Sequence, residues 1–190
     1  MTGLFFGSFN PVHVGHMVLA SCFLEYAPIA DLQLILSPQN PLKRADTLAS
    51  ERHRLKMLEL ALAAYPELPI SINTIEFELP KPSYTIDTLT VLQQQNPDVS
   101  YMVLMGADSL ASIKGWRDYQ KILSGFRICV YPRIGYDLQA LCNRYNVSTV
   151  SAPIIEISST AIRAAIGEGR GVSTYLPYGV WSYIEEHKLY

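Results

Sequence analysis

His13 and His16 stand three residues apart in the stretch Gly7-Ser8-Phe9-Asn10-Pro11-Val12-His13-Val14-Gly15-His16. Val18, Leu19, Cys22, Phe23 and Tyr26 then recur at helical spacing, so a helix should begin near Val14. Both imidazoles fall on one face of its first turn, and Gly15 keeps bulk away between them. Before the stretch, Leu4-Phe5-Phe6 reads as a short buried strand. Strand, tight polar turn and helix N-terminus leave amides pointing outward toward an anion, and Gly7 and Ser8 let the backbone pass close to it. Two imidazoles beside exposed amides form a compact set of donors for a phosphate. A lone histidine would more simply cap the helix or fill a gap. A pair flanking a glycine directly after strand and turn favours the anion site.

A second group lies far downstream. Ser158, Ser159 and Thr160 open another helix, and Arg163 shares a face with Ser159. Alone, this would read as an ordinary Ser/Thr cap with a solvated arginine. Asp108 follows Gly106 at the end of an apolar strand, where an open α/β sheet presents its ligand contacts. Lys43 and Arg44 sit in the punctuated loop from Ser37 to Arg44, as phosphate ligands or as a surface pair.

The elements that must position these residues alternate. Asp31 to Leu36 is a second strand, Ser50 caps a helix to about Tyr65, and Pro69 to Phe77 supplies a third strand. Leu55, Leu58, Leu62 and Tyr65 form the helix's expected buried stripe, and Ile70, Ile72 and Ile75 the strand's inward face. A helix from Tyr84 to Gln95 leads to the strand Tyr101 to Met105, a short helix and Gly115-Trp116. Then come a strand from Arg127 to Tyr131, a helix from about Tyr136 to Tyr145, a strand from Val147 to Val150, and a last helix near Pro177. Near-continuous apolar strands between helices imply an α/β fold: a Rossmann-like parallel sheet with helices on both faces. The glycine fingerprint of dinucleotide-dependent redox enzymes is missing after the first strand.

The chain of 190 residues is 49% hydrophobic, enough for one domain over 1–190 with a sizeable core. Its net charge of −2 and pI near 6.1 give no basic stripe, so nucleic acid is not the expected partner. No apolar run approaches the roughly 20 residues that span a bilayer, and no leader precedes the first strand, so no membrane partner is expected. Cys22, Cys129 and Cys142 lack metal-type spacing and fit reduced core residues of a cytoplasmic protein.

The first stretch resembles the (T/S)-x-(N/D)-P-x-H-x-G-H signature of the nucleotidyltransferase superfamily, and Ile157 to Arg163 resembles its I-S-S-T-x-I-R signature. Between them, Ser83-Tyr84-Thr85-Ile86-Asp87-Thr88-Leu89 is similar to the S-Y-T-x-D-T-L block of nicotinate-nucleotide adenylyltransferases, and Met105 to Leu110 to their G-A-D segment. Trp116, Tyr131 to Gly135 and Tyr175 to Tyr190 continue the resemblance over essentially the whole chain. It implies the HxGH-type nucleotidyltransferase fold. It also implies adenylyl transfer from ATP to nicotinate mononucleotide, giving deamido-NAD and pyrophosphate, with Mg²⁺ carried by ATP and no dedicated protein metal site.

Carried onto this chain, the resemblance makes His13, His16, Lys43 and Arg163 catalytic. Gly7, Ser8, Phe9, Gly15, Gly106, Asp108, Ser158, Ser159 and Thr160 would bind ATP. Asn10, Tyr84, Thr85 and Trp116 would bind the nicotinate nucleotide, Trp116 by stacking. Without it, Trp116 reads as a core or rim aromatic, Tyr84 as packing, and Asp87 equally well as a structural first-turn residue. The chain departs from the family at Leu42, where a histidine is usual, and at Ser8 and Asn10, where many members have Thr and Asp. Rival readings are another adenylyl- or cytidylyltransferase, such as one acting on phosphopantetheine, and a non-catalytic nucleotide-sensing module. Acceptor preference and pyrophosphate release separate them. Homo-oligomerisation is left open by the sequence.

Overall fold

The computed structural model describes residues 1–38 and 48–190, so Leu42, Lys43 and Arg44 lie outside the described residues. Six parallel strands form one sheet in the order β3-β2-β1-β4-β5-β6. They are β1 (Thr2–Gly7), β2 (Asp31–Leu36), β3 (Ile70–Asn73), β4 (Tyr101–Gly106), β5 (Arg127–Tyr131) and β6 (Ser148–Thr149). Between and after them run α1 (Val14–Tyr26), α2 (Glu51–Ala63), α3 (Thr85–Gln95), α4 (Ala107–Ala111), α5 (Tyr119–Gly125), α6 (Leu138–Tyr145), α7 (Ser159–Gly167) and α8 (Val180–Glu186).

Strand alternation sends neighbouring side chains into two separate cores. Phe5, Leu34, Leu104 and Cys129 pack on one face with Phe23, Met57, Leu58, Ile162 and Ile184 from α1, α2, α7 and α8. Leu4, Ile35, Val103 and Val130 pack on the other with Leu89, Leu110, Ile122 and Cys142 from α3, α4, α5 and α6. The expected parallel sheet covered on both faces is what forms. Every residue of β4 is buried, which is why it reads as an unbroken apolar run.

Three local expectations are corrected. The strand expected from Pro69 to Phe77 stops at Asn73, because the Asn73 side-chain oxygen accepts from the Ile75 amide (2.9 Å) and turns the chain into a 3₁₀ turn, Ile75–Phe77. On this edge Ile70 and Ile72, half-buried, pack inward against one core as expected, and Ile75 packs against the other. The buried face of α2 is Arg54, Met57, Leu58 and Ala61, while Leu55, Leu62 and Tyr65 are half-buried. The last helix starts at Val180 rather than near Pro177, after Gly179 in the left-handed region (φ +82°).

No helix among the described residues is long and apolar enough to cross a membrane.

Candidate active site

Crossovers leave β1 for β2 on one side while β4 joins it on the other, so the strand order reverses between β1 and β4. An open α/β sheet places a ligand crevice at the carboxyl ends of its strands at such a point. A cavity of about 610 Å³ opens there, lined by the β1–α1 turn, the ends of β4 and β5, and the N-termini of α3 and α7. It brings together every sequence-derived site residue that lies within the described part of the chain.

The β1–α1 turn is built around Phe9. Its backbone is left-handed (φ +44°) and its ring is 2% exposed, edge-on to Phe5 at 6.1 Å and to His16 at 5.0 Å between centroids. A Cβ on Gly7 would stand 2.8 Å from this ring, so Gly7 is required for packing as well as for ligand approach. Phe9 therefore gives its side chain to the core, and what it turns toward the cavity is backbone.

His13 caps α1, and its own amide donates to His16 Nδ1 at 3.1 Å. That bond makes Nδ1 of His16 the acceptor and puts the ring proton on Nε2, as a donor on a ring that lines the cavity. The two rings stack with centroids 3.7 Å apart. His13 is 5% exposed; burial, aided by the Arg133 guanidinium, lowers its pKa to about 4, so it is uncharged at neutral pH. A Cβ on Gly15 would lie 2.9 Å from Ile155 and 3.0 Å from His13 Nδ1, which explains the glycine between the histidines.

α7 closes the opposite wall. Ser158 caps it, its hydroxyl accepting from the Ala161 amide (3.2 Å). Ser159 Oγ donates to the Pro11 carbonyl (2.9 Å), and Arg163 Nη1 donates to the Asn10 carbonyl (2.8 Å). Two residues assigned to phosphate binding thus also lock the second motif onto the first. Thr160 is exposed, with its hydroxyl 3.4 Å from Arg163 Nη2. Asn10 is itself built in: its Oδ1 accepts from the Ala49 amide (3.0 Å) and the Tyr190 hydroxyl (2.7 Å).

At the end of β4, Asp108 Oδ1 lies 3.6 Å from Arg133 Nε, with both side chains partly exposed. A Cβ on Gly106 would collide with the Asp108 carboxylate and touch the Tyr131 ring. Beyond them, α3 begins at Thr85 without a side-chain cap, beside Tyr84, Trp116 and Arg117. Glu76 underpins this wall, 2% exposed and accepting from Ser83 Oγ (2.7 Å) and Thr88 Oγ1 (2.8 Å).

Sequence reasoning assigned no role to four residues. Arg54 is 1% exposed and donates to four backbone carbonyls: Ala49 (3.0 Å), Ser8 (2.9 Å), Ser37 (2.6 Å) and Pro38 (2.8 Å). It staples the loop ends of β1 and β2 together beneath the cavity. Its signal was its place at the head of the i, i+3, i+4, i+7 pattern Arg54, Met57, Leu58, Ala61. Arg133 stands two residues past Tyr131, at a strand end where cavity residues collect. Glu76 and Tyr190 carried no local signal. Among the described residues, the buried side-chain nitrogens of His13 (Nδ1), Trp116 (Nε1) and Arg133 (Nε) lack hydrogen-bond partners, and all three residues line this cavity.

A family model described as cytidylyltransferase-like matches residues 4–165, the span from β1 through most of α7. That places the chain among the nucleotidyltransferases. A Flavobacterium johnsoniae protein named "Probable nicotinate-nucleotide adenylyltransferase" is 40% identical over 190 residues, covering 99% of this chain and 97% of its own. A Bacteroides thetaiotaomicron protein of the same name is 39% identical over 186 residues, covering 98% and 91%. The chain belongs to the nicotinate-nucleotide adenylyltransferase family, and it is an enzyme of that nucleotidyltransferase kind. The fold is also that of Plasmodium falciparum nicotinic acid mononucleotide adenylyltransferase complexed with NaAD, at TM-score 0.84 and 17% identity over 99% of this chain and 96% of that one.

Proposed function

We propose that the chain, acting as a single nucleotidyltransferase domain, transfers the adenylyl group of ATP to nicotinate mononucleotide in NAD biosynthesis. An oxygen of the acceptor's 5′-phosphate attacks the α-phosphorus of ATP. The bond to the α–β bridging oxygen breaks, and pyrophosphate leaves with the electron pair. The nucleophile is already ionised, so no covalent enzyme intermediate is needed and catalysis is alignment plus charge stabilisation. The observation that carries this reading is the His13/His16 pair at the start of α1, facing Ser158 to Arg163 across one cavity.

His16 Nε2–H donates to the α-phosphate. His13, uncharged, contributes a hydrogen bond rather than charge, and Arg133 supplies the neighbouring positive field. Arg163, Thr160 and the first amides of α7 meet the leaving pyrophosphate, and the family resemblance assigns Lys43 to the same role. Gly106 and Asp108 serve the adenosine end, and Trp116, Tyr84 and the amide of Thr85 the pyridine nucleotide. Magnesium would arrive with the substrate as Mg–ATP and would offset charge on the triphosphate. Asn10 Oδ1 already accepts two hydrogen bonds and Asp108 faces Arg133, so these two residues are poorly placed to hold the ion, which would be carried by ATP. Its three described cysteines are free thiols, in keeping with a cytoplasmic enzyme.

The test is pyrophosphate release from Mg–ATP with nicotinate mononucleotide, nicotinamide mononucleotide and phosphopantetheine offered separately. Clear preference for the nicotinate nucleotide is expected. Preference for phosphopantetheine would remove the roles given to Thr85 and Trp116, and ATP binding without turnover on any acceptor would make the chain a sensing module.

A further inference from the structure

The wall of the cavity formed by α3 and the Trp116 segment carries a charge arrangement that the reaction above does not use. Arg117 Nη1 lies 3.2 Å from Asp87 Oδ2, and its guanidinium sits over the Tyr84 ring, 4.9 Å from the centroid. Arg117, Tyr84, Thr85 and Trp116 all line the cavity, and Asp87 stands in the first turn of α3. The start of α3 therefore has three charge contributions: the uncapped helix amides and Arg117 on the positive side, and Asp87 on the negative side. Arg117 is not pinned by burial; its side chain is 55% exposed and that of Asp87 42%. Among the described residues, a ring face and a carboxylate hold the cation at the cavity's edge.

We propose that Arg117 and Asp87 set how strongly this enzyme prefers a pyridine carboxylate over the neutral carboxamide. The inference rests on the acceptor reading given above. Arg117 adds positive potential where the acceptor's ring group enters, and Asp87 offsets part of it. A nicotinate carboxylate gains from that potential, whereas a nicotinamide carboxamide, being neutral, gains little. The Tyr84 face keeps the guanidinium from swinging into solvent. The pair is thus a tuning element with two members of opposite effect, and that opposition separates it from a simple latch between α3 and the Trp116 segment.

The experiment compares kcat/KM for nicotinate mononucleotide and nicotinamide mononucleotide in wild type, Arg117→Met, Asp87→Asn and the double variant. Arg117→Met should lower the nicotinate-to-nicotinamide ratio roughly threefold, the scale of a partly exposed charge contact. Asp87→Asn should raise it by a similar factor, and the double variant should return near the wild-type ratio. Raising the ionic strength should shrink both changes, since exposed charges are screened. KM for ATP should stay within error throughout. Single variants that shift the ratio in the same direction, or not at all, would overturn the proposal, as would changes insensitive to salt. If wild type fails to use nicotinate mononucleotide, the reading of function fails first. If wild type uses it and the ratios do not move, this inference alone fails.

Discussion

Lowering the pH should destabilise this protein through His13 in a way that one substitution can isolate. Burial and the nearby Arg133 hold the folded pKa of His13 at about 4, against about 6.5 for an unperturbed histidine. Below pH 6.5 the unfolded chain takes up a proton that the folded chain refuses until near pH 4. The contribution of His13 to stability is therefore complete above pH 6.5 and is lost progressively as pH falls. Each pH unit in that window costs about 1.4 kcal/mol, so about 2 kcal/mol is gone at pH 5 and about 3 kcal/mol near pH 4. Against a typical net stability of roughly 5–15 kcal/mol, that loss is readily measured. The assay is urea unfolding of wild type and His13→Gln at pH 7 and pH 5. Other titrating groups act in both proteins and cancel in the comparison. Wild type should lose about 2 kcal/mol more than the variant between the two pH values. Equal losses would mean that His13 titrates near 6.5 when folded, and the account of a neutral, buried imidazole would be wrong.

His16→Ala should reduce turnover by roughly 10²–10³-fold while ATP binding survives, the scale of losing one preorganised donor to the reacting centre; near-normal turnover in steady-state assays would remove its catalytic role. Arg54→Met should lower stability by about 3 kcal/mol or more, because four backbone carbonyls lose their donor at once, and thermal unfolding would read this as a drop of about 10 °C. Tyr190→Phe deletes the hydroxyl that reaches Asn10 and should cost about 1 kcal/mol, with kcat falling more than either KM; unchanged kcat would make that contact merely structural.

The sheet was legible because its central strands are buried on both faces and carry their signal in composition alone. Asp31–Leu36 and Arg127–Tyr131 begin and end where hydropathy places them. The edge strand β3 was overextended because Ile75 looks like a strand residue, while the bond from its amide to Asn73 is a two-residue geometric event. The same division runs through the site. Residues that line the cavity cluster in contiguous motifs, His13 with His16 and Ser158 with Arg163, and spacing reveals them. Residues that hold the site together pair across the chain: Tyr190 with Asn10, Arg54 with Ser8 and Ser37. Such pairs leave no periodicity. Glu76 shows this most clearly, a buried carboxylate whose two partners are hydroxyls rather than charges.

The net charge of −2 is at first sight a poor match for an enzyme that must hold two polyanions side by side. What matters at the reacting phosphates is local charge. The N-termini of α1, α3 and α7 converge on the cavity, and Arg133, Arg163 and Arg117 line it. Asp108 and Asp87 sit against Arg133 and Arg117, trimming that field rather than cancelling it. Much of the positive potential is thus fixed helix dipole and hydrogen-bonded arginine, not mobile surface lysine. Low-dielectric walls focus such a field into the cleft while the outer surface stays near neutral. Arg54 extends the same logic inward, since a guanidinium held by four carbonyls fixes the path of the chain and also places a positive charge beneath the β1–α1 turn. Burial makes that charge costly, and its pKa is lowered accordingly, yet every carbonyl it touches belongs to the loop ends of β1 and β2 or to the entry to α2. Stability spent on a buried cation here yields a β1–α1 turn whose path is fixed before either substrate arrives.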